Sequence, residues 1–146
     1  MLCIFVKTLF ERDGRDMNEA ETTIRRMFEA YRDCFNRLDG PGASSHYAAP
    51  SFVVKNGGVV RIDLDTKNDY FDSLMARNAA EGDHVWEIAE LEVNLPATNG
   101  GIVTVRWIAR RPDGSVLWDF FDTYVVADDG QGQGWLILGD IVHSPE

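Results

Sequence analysis

The stretch VLWDFFDTYVV, residues 116–126, decides how the rest of the chain is read. Val116, Trp118, Phe120, Tyr124 and Val126 alternate along one side, the two-residue period of a half-buried strand. Asp122 stands in the middle of that apolar face. A carboxylate there costs several kcal/mol, roughly, unless it is hydrogen-bonded, paired or protonated. The other side, Leu117, Phe121, Thr123 and Val125, is also apolar save for Asp119.

Three more segments read as long strands rich in β-branched and aromatic residues: HVWEIAELEVNL, GIVTVRWIARR and GWLILGDIVH. PATNG, Pro112-Asp113-Gly114 and ADDGQGQG join them, and such short connections between long strands imply an antiparallel meander. GQGQG opens no helix and has no lysine after it, so it is a hairpin loop and not a phosphate cradle.

Upstream, Ile24, Met27, Phe28, Tyr31, Phe35 and Leu38 recur at three- and four-residue steps, which predicts an amphipathic helix. Asn18 with Glu21 reads as its capping box, and Asp39-Gly40-Pro41-Gly42 as its end. SFVVKNGGVVRID reads as a hairpin turning at Asn56-Gly57-Gly58. Thr66 is the expected cap of a second helix carrying Tyr70, Phe71, Leu74 and Met75. The fold class is therefore α+β: a curved, mainly antiparallel sheet packed against helices, with an internal pocket where two helices fail to cover it.

The expected domains are an N-terminal extension, 1–17, and a single domain, 18–146. In the extension Leu2, Phe5, Val6, Leu9 and Phe10 have helical spacing, and Phe5 and Leu9 are expected to pack against the open end of the cone or a second subunit. It lacks the basic start and small-residue cleavage site of a leader.

The chain has 146 residues, 45% hydrophobic and 26% charged, with net charge −10 and a pI near 4.6. Such a surface repels phosphate backbones and anionic bilayers, so neither nucleic acid nor membrane is an expected partner. Cys3 and Cys34 form no CxxC pair, which fits a reducing cytoplasm. His46, His84 and His143 have no metal-ligand spacing, and no nucleophile elbow marks a hydrolase.

The order helix, hairpin, helix, four strands, together with YRDCFNRLDG, SFVVKNGG and DTYVV, resembles the nuclear transport factor 2-like superfamily, the cystatin-like α+β cone. Steroid delta-isomerase, polyketide cyclases and limonene epoxide hydrolase share that cone. The resemblance covers about residues 18–143 and is specific for the fold rather than for an activity. It implies that Tyr31 falls at the isomerase's oxyanion-hole tyrosine and Asp122 at its protonated aspartic acid. Lys55 stands where that enzyme has its proton-abstracting carboxylate, so the base of steroid isomerisation is missing.

Asp122 and Tyr31 are thus the candidate catalytic pair. Trp118, Phe120, Tyr124, Lys55 and His46 are the candidate ligand contacts, with no metal and no cofactor expected. Two accounts of Asp122 stand side by side: a donor or general acid toward a ligand carbonyl, and a structural carboxylate tied to Tyr31, Arg106 or water. Two functions follow. One is a pocket for a small apolar or ring-containing molecule with cofactor-independent isomerase-, cyclase- or dehydratase-like chemistry; the other is a non-catalytic binding or dimerisation module with a filled cone. A homodimer through the outer sheet face is expected either way.

Overall fold

Strand β5 (Val116–Ala127) sits inside one six-stranded sheet of order β2-β1-β6-β5-β4-β3. The computed structural model describes residues 2–144, with side chains from Glu19 onward. β3 (Val85–Ala97), β4 (Gly100–Arg110), β5 and β6 (Leu136–Val142) form the expected meander. The hairpin of β1 (Tyr47–Lys55) and β2 (Gly58–Ile62) adds to it through a parallel β1–β6 pairing. The hairpin turns on Asn56 and Gly57, both at positive φ (51° and 76°), as a primed two-residue turn demands.

Helix α1 (Leu2–Asn36) is longer than the capping box implied. Asn18 lies within it and is no N-cap, because the preceding residues include no proline and one interior glycine costs only about 1 kcal/mol. The expected packing of Phe5 and Leu9 lies outside the described side chains. The helix ends with Leu38 at φ 55°, where the Asp39 N–H donates to the Cys34 carbonyl (2.8 Å). This is a left-handed C-terminal closure. It turns Leu38, an expected member of the apolar stripe, out to solvent, and buried Cys34 takes part in the stripe instead.

Short α2 (Gly40–Ser44) is capped by Asp39, whose Oδ1 accepts from the Gly42 N–H at 2.9 Å. Helix α3 (Lys67–Ala80) follows Thr66, whose hydroxyl makes no cap bond. It is held instead by Asp63, accepting from that residue's N–H at 3.1 Å.

The inner sheet face meets α1 and α3. Phe28 and Phe71 are wholly buried there, each contributing about 1.5–3 kcal/mol. Phe28 sets its ring edge-on against Tyr124 at 4.8 Å. Two irregularities reset the alternation of the strands. The β3–β4 register shifts between Ile88 and Glu90, so Trp86 and then Leu91 and Leu95 both serve the core. The β5–β6 register shifts between Val125 and Val126, leaving Leu138 without an opposite partner. As a result Ile137 and Asp140, three apart, are both buried.

Candidate functional site

Between sheet and helices lies a cavity of about 340 Å³. β5 supplies Trp118, Phe120, Asp122 and Tyr124, the alternate residues that drew attention in the sequence. Trp86 and Trp107 come from β3 and β4, Tyr31 and Phe35 from α1, Tyr70 and Leu74 from α3, and Tyr47 and Lys55 from β1. The Trp86 and Trp118 rings stack at 5.3 Å and 19°, with Phe120 edge-on to Trp86 at 5.9 Å. Trp86 is held at both ends. Its indole N–H donates to Asn78 Oδ1 (2.8 Å), and its backbone exchanges two hydrogen bonds with the Asn36 amide (2.8 and 3.1 Å).

Asp122 is buried and does not stand alone. Asp140 of β6 lies within hydrogen-bonding reach of it, and both carboxyls are held above the ordinary carboxylate range. For Asp122 desolvation is the largest cause and the Asp140 charge the next, together raising it to about 9. Two buried carboxyls this close share a proton, because ionising both puts like charges together in a dry site. Asp140 is the member better placed to ionise. Tyr47 donates to its Oδ1 at 2.6 Å, a charge-assisted bond that favours the anion. Asp122 is the acid at neutral pH, and its Oδ1 is buried with no hydrogen-bond partner among the described residues.

Tyrosines surround the pair. Tyr124 lies within hydrogen-bonding reach of Asp122 and accepts from the Trp107 indole at 2.9 Å. Tyr31 lies in reach of Tyr47. Two hydrogen bonds tie these groups together, Tyr47 to Asp140 and the Trp107 indole to Tyr124, and Tyr31 and Asp122 line the same cavity with no direct hydrogen bond between them. Burial pushes Tyr31, Tyr47 and Tyr124 well above the usual phenol range, so all three keep their protons as donors.

The remaining candidates divide. Lys55 Nζ donates to the Tyr70 hydroxyl at 3.1 Å, and desolvation lowers its pKa. His46 is not among the cavity-lining residues; its ring packs edge-on to Tyr31 at 5.9 Å. Arg106, one proposed tether for Asp122, instead grips Asp119 on the outer face with two bonds of 3.0 and 2.9 Å. Among the described residues no three His, Cys, Asp or Glu side chains converge on a metal position, and no helix is long and apolar enough to cross a membrane.

Sequence reading put none of Asp140, Trp86, Trp107 and Asn78 in the site, taking the two tryptophans as core or sheet-face residues; Tyr47, beside His46 in the segment bordering the hairpin, carried a local signal.

This geometry is that of the nuclear transport factor 2-like cones. The family model described as "NTF2-like protein (DUF6841)" matches residues 18–145, and the chain belongs to that family. No curated protein matches the sequence. Among solved structures, a cystatin-like domain of unknown function from Nostoc punctiforme superposes with a TM-score of 0.71 at 17% identity, over 88% of this chain and 78% of that one. A protein of unknown function from Mycobacterium tuberculosis gives 0.70 at 15% identity, over 90% and 75%. A candidate ketosteroid isomerase from Shewanella frigidimarina gives 0.61 at 16% identity, over 81% and 92%. At such identities the likeness is one of fold.

Proposed function

We propose that the cavity binds a small ring-containing molecule and that Asp122, as the neutral acid, donates to its carbonyl or hydroxyl oxygen. The observation that carries this reading is the pair Asp122–Asp140, buried beside an aromatic cavity that is left unfilled. An acid whose partner is already an anion can hold a proton at neutral pH and offer it to an oxygen that gains charge during reaction. Isomerisation, cyclisation and dehydration all develop such charge. Tyr31 and Tyr47 steady Asp140, and so act on the acid through it. The aromatic walls favour flat rings, as apolar pockets with a few converging polar groups do.

The test is exchange of the α-protons of 1-tetralone for solvent deuterium, followed by NMR: a solvent or buffer base takes the α-proton, and the donor to the carbonyl stabilises the enolate left behind until it takes a deuteron back at carbon. The wild type is expected to bind the ketone and accelerate exchange. Asp122→Asn is expected to bind it and lose at least tenfold of the acceleration. Binding without acceleration in the wild type would favour the non-catalytic binding module, and no binding would end the pocket reading altogether.

The same reading includes a homodimer. Ile102, Phe121, Val125, Leu138 and Ile141 are exposed on the outer sheet face, which the helices do not cover. Two copies joined there would bury that patch. Sedimentation at micromolar concentration is expected to give a dimer, and Val125→Lys a monomer with an unchanged far-ultraviolet spectrum. A monomeric wild type would refute the arrangement.

A further inference from the structure

We infer that the molecule this cavity takes carries an anionic group, a carboxylate or a group of like charge, held at the solvent-facing rim by Lys55 and Arg77. The inference rests on the pocket reading above and narrows the class of ligand.

Charge in the cavity wall is unlike charge on the rest of the chain. The whole protein carries −10. The wall contains two acids, Asp122 and Asp140, both buried, and three cations: Arg32, Lys55 and Arg77. One proton is shared between the acids, so the wall is net positive at neutral pH. The cations are also its more exposed members: Arg77 is exposed, and Lys55 and Arg32 are half-buried.

Arg32 already has a carboxylate, with its Nη2 3.0 Å from Asp33. Lys55 and Arg77 have none within ion-pair distance, although the Asp140 and Asp122 carboxyls deeper in the cavity act on Lys55. Among the described residues neither makes an ion pair, and the one hydrogen bond from Lys55 goes to a neutral phenol, Tyr70. Both cations line the cavity, and Arg77 lowers the Lys55 pKa after desolvation, with Asp140 and Asp122 acting more weakly the other way. Two neighbouring cations, one partly desolvated, gain when an anion bridges them. The buried acid pair repels an anion from the inner end. A ligand with one charged and one apolar end therefore has a single favourable orientation, with the charge outward and the ring against the aromatic wall that Phe120, Trp86 and Trp118 form together.

The experiment compares naphthalene-2-carboxylate with its uncharged isostere naphthalene-2-carboxamide by titration calorimetry at pH 7. The wild type is expected to bind the carboxylate about tenfold more tightly, as two half-exposed ion pairs of modest strength would give. Lys55→Met and Arg77→Gln should each cut that preference to about threefold, and the double variant should abolish it. Far-ultraviolet spectra and melting temperatures like those of the wild type report that the variants are folded. Amide binding as tight as carboxylate binding in the wild type, or a preference that survives the double variant, would overturn the anion assignment while leaving the pocket reading intact. Heat from neither compound would overturn both.

Discussion

Asp122→Asn is expected to melt at the same temperature as the wild type near pH 4 and well above it at pH 8. The sign follows from the direction of the shift. In the native chain Asp122 holds its proton up to about 9, whereas in the unfolded chain it releases it near 3.8. Between those values the native state binds more protons than the unfolded state, so wild-type stability falls as pH rises. Asparagine keeps the shape, can donate to the Asp140 carboxylate as the acid does, and has no proton to retain. The gain at pH 8 should be about 3 kcal/mol, discounted from the full linkage value because the two carboxyls titrate together. For a domain of this size that is roughly 6–12 °C. Melting curves of the two proteins across pH 4–9 make the comparison, and the difference between them cancels the other titrating groups. Parallel curves would mean that Asp122 is already ionised in the native state, and the shared proton would have to be abandoned.

Gly139→Val should be the most damaging single change near the site. Gly139 faces Phe52 on one side and Val125 on the other, in the middle of the β1–β6–β5 ladder. A Cβ built there would stand 2.7 Å from the Phe52 carbonyl oxygen, which is backbone and cannot swing aside. Either β1 separates from β6 or the strand rotates, at a cost of about 2–4 kcal/mol. Asp140 is the next residue, so the acid pair should be displaced as well. Denaturant midpoints measure the first effect, and loss of the pH-dependent difference between this variant and its Asp122→Asn double measures the second. A Gly139→Val protein as stable as the wild type would show that the two strands lie further apart than described.

The same strand explains why half of the acid pair was legible and half was not. Asp122 announces itself because β5 alternates without interruption and a charge breaks the pattern. In LILGDIV the period starts at Ile137, and strict alternation would aim Gly139 and Ile141 inward and Asp140 out to solvent. The unpaired Leu138 reverses that parity, and no residue in the segment signals it. Trp86 has a similar history, since its place depends on Asn36 and Asn78, polar residues in helices that are 50 and 8 positions away. The meander, the hairpin turn and the buried stripe of α1 were legible because they rest on local period and turn chemistry. The parallel docking of β1 on β6 was not, because it links segments some 90 residues apart.

The stacked indoles have a consequence for how the protein can be observed. Three of the four tryptophans, Trp86, Trp107 and Trp118, stand in the cavity wall, while Trp135 lies elsewhere, beside Glu19 and Asn99. Rings at 5.3 Å with an angle of 19° couple their electronic transitions, and a third perpendicular to Trp86 at 6.2 Å receives excitation from them. Most of the ultraviolet light this molecule absorbs is therefore absorbed where a guest would sit. Its intrinsic emission and its exciton couplet form an optical gauge of the chamber, so compounds can be screened against unlabelled protein with no dye and no assumption about the reaction.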